Sequence, residues 1–193
     1  MDCNLQGTLE INGGRVNFDG GRGYIEKNWG SAFPYSWVWV QCNHFHGTHA
    51  SLSCSLAHIP FLTSSFRGFL IGLYANNTFY KFTTMNGSKI EVLQSGSDVT
   101  VIAENSATKL TVICETEKDK FILLNGPRGD QMIPLVQENL QGKVYVELKS
   151  KVGHDLLFQG YGTNAGVEYG GEQMLVLDKP PRHGDAASWG RFS

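Results

Sequence analysis

Polar side chains lie close to tryptophans in one stretch of the chain. Residues 23 to 45 read GYIEKNWGSAFPYSWVWVQCNHF. Because side chains alternate along a strand, Trp37, Trp39, Gln41 and Asn43 share one face, and the opposite face is itself largely apolar. Indoles and amides together are typical of a barrel wall whose inner face looks into a ligand cavity. The alternative is that the two amides only satisfy neighbouring backbone groups.

The segment just before this strand contains a candidate acid. If residues 23–30 are extended, Tyr24, Glu26 and Asn28 face one way and Trp29 faces the other. A carboxyl group beside indoles in an apolar cavity has its pKa raised by desolvation, and a protein obtains a proton donor at neutral pH in this way. That outcome depends on burial. The alternative is a solvated ion pair between Glu26 and the next residue, which contributes almost nothing to stability.

Three histidines and four cysteines raise the question of a metal site. His44, His46 and His49 fall within six residues, but no acidic ligand lies nearby and no strong zinc signature fits the spacing. We predict surface histidines and no metal. The cysteines are widely scattered, without a C-x-x-C pair, which favours reduced and mostly buried thiols over a zinc or redox site.

The elements that would position these residues are short strands. Turn signals such as Asn76-Asn77 and Asn86-Gly87 recur along the chain, and the segments between them are rich in β-branched and aromatic residues. The pattern predicts an all-β fold, an antiparallel lipocalin-like (calycin-like) barrel or strongly bent sheet of about 8–11 strands. Residues 128–142 are the only candidate for a short helix. We predict one domain over residues 1–170 and a disordered tail over 171–193.

Bulk properties narrow the class of partner. The 193 residues carry 16 basic and 18 acidic side chains, for a net charge of -2, so no long-range field favours nucleic acid. No apolar stretch approaches the roughly 20 residues of a membrane helix, and we expect no integral membrane segment. The N-terminus has neither signal-peptide nor transit-peptide character, which predicts a soluble, cytoplasmic product.

Two motifs resemble a known family. The segment EKNWGSAFPYSWVWVQCNHF is similar to the signature of the tocopherol cyclase family, in which E-K-N-W-G runs through F-P to a W-x-W-V-Q-C-N-x-F strand. Residues 142–162, GKVYVELKSKVGHDLLFQGYG, resemble the closing strands of that family. The resemblance runs from about residue 5 to 171. Because family members have an additional N-terminal lipocalin-like half, it implies that this chain corresponds to the C-terminal half.

The resemblance implies closure of a prenylated (phytyl) hydroquinone to a chromanol without a cofactor. The partner is then such a hydroquinone or a similar apolar molecule, with peripheral contact to lipid, an N-terminal half, and a plastid location if the chain is a fragment of a plant or algal protein. Glu26 would be the proton donor, and Asp19, just before the motif, is the next candidate. The expected substrate-binding residues are Tyr24, Asn28, Trp29, Trp37, Trp39, Gln41 and Asn43.

The sequence is also compatible with two other functions. A lipocalin-like carrier would hold a prenyl lipid or another apolar ligand without changing it. A truncated structural remnant would do neither. Chromanol formation from a prenyl hydroquinone would separate the enzyme from both.

Overall fold

The protein is almost entirely β, which confirms the predicted fold class. A computed structural model describes residues 1–29, 33–128 and 130–171. Two single-turn 3-10 helices occupy Thr84–Asn86 and Lys118–Lys120. The strands are β1 (Cys3–Asn4), β2 (Thr8–Ile11), β3 (Gly14–Asn17), β4 (Arg22–Gly23), β5 (Ser36–Cys42), β6 (Ala50–Phe61), β7 (Ser64–Ala75), β8 (Thr78–Thr83), β9 (Lys89–Ser95), β10 (Asp98–Glu104), β11 (Thr108–Glu115), β12 (Ile122–Arg128), β13 (Gln131–Ser150) and β14 (Leu156–Gly171).

Local sequence explains why these strands form. In β10, Val99, Val101 and Ala103 are buried and alternate with partly exposed residues, as a strand with one core face requires. The turn between β7 and β8 is Asn76-Asn77, and both residues have positive φ angles of 49° and 58°. Asparagine tolerates that conformation, and a two-residue turn of this kind fits the twist of a hairpin.

One large antiparallel sheet dominates the architecture. Its strands follow the order β8-β7-β6-β5-β14-β13-β11-β10-β9, and β12 pairs with β13. The strands β8 and β9 lie at the two ends of this order and do not pair with each other among the described residues. The sheet is therefore strongly bent and is not closed into a barrel. Two small ribbons, β1-β4 and β2-β3, precede it.

The bend brings one face of the sheet against itself. The hydroxyl of Tyr169, in β14, donates a 2.8 Å hydrogen bond to the carbonyl of Ser97 beyond the far strand β9. Cys114 of β11 belongs to the same buried core as Cys42 and Cys54 of β5 and β6, although three strands of the sheet order separate β11 from β6. Burial raises the pKa of Cys42 to about 11 and of Cys54 to about 12. The prediction of mostly buried, unpaired thiols is confirmed.

The N-terminal residues cover part of the opposite face of β6. The Ser51 hydroxyl donates to the Met1 carbonyl at 3.1 Å, and the Tyr24 hydroxyl lies 3.0 Å from the Ser53 hydroxyl. Asp2 pairs with Arg22, whose Nε donates at 2.8 Å. Partial burial raises the pKa of Asp2, but the hydrogen bonds and charge of its neighbours outweigh that effect and lower it. These contacts hold the segment that leads to the candidate site.

The structure bears on two predictions about individual segments, a short helix and a disordered tail. The short helix considered for 128–142 is wrong, because residues from Gln131 onward form β13, which is paired with both β12 and β14. The predicted disordered tail lies outside the described residues, apart from Gly171, which ends β14. In the part of the chain that is described, no helix is long and apolar enough to cross a membrane.

Candidate functional site

A cavity of about 390 Å³ lies on the face of β5 that points away from the core. Its floor comes from β5, β6 and β14, and its roof comes from the segment just before β5. The volume is in the lower part of the range for small-molecule sites. The lining residues are Glu26, Asn28, Trp29, Phe33, Pro34, Trp37, Trp39, Ser55, Ala57 and Glu168.

This position corrects the prediction of an inward-looking barrel wall. The face of β5 that joins the core carries Val38, Val40 and Cys42, all fully buried. The indoles of Trp37 and Trp39 occupy the other face, and they line the cavity there. Trp37 and Trp39 share one face of β5, as alternation along the strand predicts, but the core lies on the opposite side of the strand.

Small residues beside β5 make room for the indoles. Trp37 is paired with Ala57 of β6 and Gly170 of β14. A Cβ atom added at Gly170 would overlap the Trp37 ring, and one added at Gly166 would lie 2.9 Å from Cζ3 of Trp39. The rings therefore lie over β14 backbone that has no side chain, which fixes their orientation.

Glu26 sits at the cavity as a hydrogen-bond acceptor. Its carboxylate accepts from the Tyr24 hydroxyl, from Asn28 Nδ2 at 2.8 Å and from Trp39 Nε1 at 3.1 Å. Partial burial raises the pKa of Glu26, but these three donors together outweigh burial and lower it. The shift is opposite to the one expected from the sequence, so Glu26 is an anion at neutral pH.

Glu168 is a second carboxyl group in the same cavity, and it was not among the site residues predicted from the sequence. It lies on β14 directly opposite Trp39 of β5 and accepts a hydrogen bond from the indole N–H of Trp37. Burial raises its pKa, the Trp37 bond opposes this, and the negative charges of Glu138 and Glu26 raise it further. Glu138 is its direct cross-strand neighbour on β13. Of the two lining carboxyl groups, Glu168 holds its proton more readily.

Tyr24 links Glu26 to the floor of the sheet. Its hydroxyl contacts both Glu26 and the Ser53 hydroxyl, and its ring lies 6.0 Å from the Trp39 ring. Burial and the adjacent Glu26 carboxylate raise the pKa of Tyr24 to about 12. The phenol therefore stays protonated and serves as a permanent donor to Glu26.

The remaining predicted site residues lie outside the cavity lining. Gln41 and Asn43 share the face of Trp39, but they lie further along the strand direction and do not line the cavity. Gln41 Nε2 and Asn43 Nδ2 are buried without a hydrogen-bond partner among the described residues. Asp19 occupies an exposed turn, where it accepts a 2.7 Å hydrogen bond from the Gly7 amide.

The three histidines of the HFHGTH segment bind neighbouring side chains. His44 Nδ1 lies 2.9 Å from Asn164 Nδ2, His46 Nε2 lies 3.2 Å from the Thr163 hydroxyl, and His49 pairs with Asp2. Within the described ranges, no group of three or more histidine, cysteine or acidic residues could hold a metal ion.

A larger cleft of about 730 Å³ lies on the outer face of β9, β10, β11 and β13. Its charged rim includes a Lys149–Glu147 pair at 2.8 Å and a Lys151–Glu104 pair at 3.5 Å. No indole or phenyl ring lines it, and two of its acids, Glu147 and Glu104, are paired with lysines. We place the candidate site in the smaller cavity because only that one combines aromatic walls with carboxyl groups of opposite pKa shift.

Comparison with known proteins agrees with the motif resemblance. The chain is 27% identical over 150 residues to a probable tocopherol cyclase, chloroplastic, of Oryza sativa subsp. japonica, covering 75% of this chain and 32% of the relative. It is also 27% identical over 150 residues to the tocopherol cyclase, chloroplastic, of Zea mays, covering 75% of this chain and 31% of the relative. The chain thus matches about a third of the length of these curated relatives.

Among solved structures, the chain is similar to kievitone hydratase from Nectria haematococca, with a TM-score of 0.43 and 16% identity over 86% of this chain and 50% of that one. The family model described as tocopherol cyclase-like matches residues 2–171, a span that includes β1 to β14 and both carboxyl groups of the cavity. The chain belongs to the tocopherol cyclase-like family.

Proposed function

We propose that the cavity protonates a prenylated hydroquinone and closes it to a chromanol. The observation that carries the proposal is the pair of carboxyl groups in one indole-lined cavity, Glu26 with a lowered pKa and Glu168 with a raised pKa. Two acids whose surroundings push their pKa values apart can divide acid and anion roles between them. The proton donor in this proposal is Glu168 rather than Glu26.

The reaction is an isomerisation and balances without a cofactor. Glu168 donates its proton to the less substituted carbon of the alkene, which leaves a tertiary cation on the other carbon. The phenol oxygen then forms a bond to that cation, and the phenol proton passes to the Glu168 carboxylate. The acid is regenerated, and no electrons are gained or lost.

The walls of the cavity suit the intermediate. The ring faces of Trp37, Trp39 and Trp29 attract a cation through their quadrupoles. The Glu26 carboxylate, held by three donors, supplies a fixed negative charge at the same cavity. Because it is anionic before the substrate arrives, Glu26 is proposed as an electrostatic stabiliser of the cation.

The names of the relatives support this reaction class and, because both are chloroplastic, a plastid location. Since the chain matches only about a third of each relative, the activity of the whole protein comes to it here as a proposal. A carrier that holds a prenyl lipid unchanged would use the same cavity. It would not need a carboxyl group with a raised pKa.

The test is turnover of a detergent-solubilised prenyl hydroquinone, followed by chromatography of the chromanol. Glu168→Gln keeps the shape and removes the proton, so we expect turnover to fall by roughly 100-fold or more with quinol binding retained. Asp19→Asn is the control, because its carboxyl group lies in an exposed turn and does not line the cavity, and it should leave turnover unchanged. Quinol binding by the wild-type chain without any chromanol would favour the carrier. Full turnover in Glu168→Gln would place the acid elsewhere.

A further inference from the structure

The hairpin that joins β6 and β7 exposes three large apolar side chains at its tip, residues 61–66: Phe61, Leu62 and Phe66. Phe61 is 60% exposed and Leu62 is 92% exposed. Leu62 also has a φ of 52°, in the left-handed region that non-glycine residues other than Asn and Asp seldom adopt. A large apolar side chain that is both strained and exposed at a turn is a reason to look for a function.

The tip is continuous with the floor of the cavity. On the cavity face, β6 and β7 pair Ser55 with Leu70, Ala57 with Gly68, and Ile59 with Phe66. Ser55 and Ala57 line the cavity. The side chains of Ile59 and Phe66 meet above Gly68, and the Phe61 and Phe66 rings pack edge to face at 6.0 Å.

Beyond the cavity, this face stays apolar up to the tip. Leu70 is exposed beside Ser55, and Phe33 of the cavity roof is also exposed. The exposed apolar side chains therefore form a strip that begins at the cavity and ends at Leu62.

The charge along the strip changes from the cavity end, where Glu26 and Glu168 lie, to the tip, where Arg67 follows Phe66. No aspartate or glutamate occurs from residue 27 to residue 90, whereas four basic residues do, at 27, 67, 81 and 89. Arg67 lies next to Phe66 and is paired in register with His58. Lys27 lies at the cavity mouth, with its ammonium 5.2 Å from the centre of the Trp29 ring, which is itself 82% exposed.

At the tip, apolar side chains in a segment whose Lys, Arg, Asp and Glu residues are all basic match an anionic lipid surface. Phenylalanine and leucine enter the interface between headgroups and acyl chains, and nearby basic side chains are attracted to acidic headgroups. An anionic protein surface would match the charge, but it gives no role to an isolated, strained leucine at the end of a narrow hairpin.

We propose that the β6–β7 tip inserts into the interface of an anionic lipid bilayer and turns the cavity mouth toward it. The route of the quinol from lipid to cavity rests on the proposed function. The membrane contact is measured without turnover, so each can fail alone. A chain that cyclises detergent-solubilised quinol but does not bind vesicles would support the proposed function and overturn this inference. A chain that binds vesicles but forms no chromanol would support this inference and overturn the proposed function.

The experiment is co-sedimentation of the full chain with phosphatidylcholine vesicles, with and without phosphatidylglycerol. We expect binding to the anionic vesicles that weakens with added salt. Phe61→Ser combined with Leu62→Ser should lower the partition coefficient by about tenfold or more. Val152→Ser is the matched control, because Val152 is 80% exposed in the β13–β14 turn, at the other end of β14 from the cavity.

A second variant separates membrane contact from misfolding. Leu62→Asn suits the left-handed turn, so the thermal midpoint should stay equal or rise while vesicle binding falls. Equal binding by the tip variants and the wild type would overturn the proposal, as would a wild-type chain that does not bind anionic vesicles. Loss of a dimer on sizing of the tip variants, with vesicle binding unchanged, would assign the tip to a second copy of the chain and also overturn it.

Discussion

The two faces of β6 consist of alternate residues of the same strand. One face packs into the core, and the other borders the cavity. Leu52, Cys54 and Leu56 are fully buried and join the core formed where the sheet bends on itself. Their neighbours Ser55 and Ala57 are small and line a cavity. The core face is filled by side chains, whereas the cavity face keeps its side chains small so that space remains. Stability and ligand binding should therefore separate along one strand.

The largest effect should come from the core face. Leu56→Ala removes a fully buried side chain from the tightly packed core, and we expect the free energy of unfolding to fall by about 2–5 kcal/mol in urea titrations. Its matched partner is Ser55→Val, one residue away on the cavity face, which should change stability by less than about 1 kcal/mol and weaken quinol binding. Equal destabilisation by the two variants would break the distinction between the faces.

How much of this could be read from the sequence depends on whether the contact is local. Alternation placed Trp37 and Trp39 on one face correctly, because that is a property of a single strand. It could not decide which face joins the core, because both faces of β5 are largely apolar. The sheet bends over the side that carries Val38 and Val40, and that choice depends on strands far away in sequence.

Glu168 was not predicted because its contact in the cavity is also long-range in sequence. It meets Trp37 across 131 residues of sequence, through the pairing of β14 with β5. The signal that could have identified it is a lone glutamate between Gly166 and Gly170 in an otherwise uncharged stretch of β14. The predicted pKa shift of Glu26 was wrong for a different reason. Burial of the carboxyl group was anticipated, but the three hydrogen-bond donors that surround it and lower its pKa were not.

A medium effect is expected where β14 lies under the indoles. Gly170→Ala places a Cβ inside the present position of the Trp37 ring, so the ring must move. We expect a loss of about 1–3 kcal/mol in stability, a shifted tryptophan emission spectrum and weaker quinol binding. Gly166→Ala is the graded control, since its added Cβ would lie 2.9 Å from Trp39 and requires a smaller shift. Identical spectra for the Gly170 variant and the wild type would show that the indole is not held by β14.

The smallest effect, and the most specific to the cavity, is the pH dependence of stability. The pKa of Glu168 is raised in the folded state above its ordinary value of 4.5, so its contribution is fully present below pH 4.5 and is lost as pH rises through the folded pKa. The pKa of Glu26 is lowered, so its contribution is present above pH 4.5 and is lost as pH falls through its folded pKa. The two carboxyl groups therefore tilt the stability curve in opposite directions. In urea titrations, the free energy of unfolding of Glu168→Gln should decline less steeply above pH 4.5 than that of the wild type. The free energy of unfolding of Glu26→Gln should fall less than that of the wild type as the pH drops below 4.5. If the two variants changed the curve in the same direction, the division of acid and anion between the two sides of the cavity would be wrong.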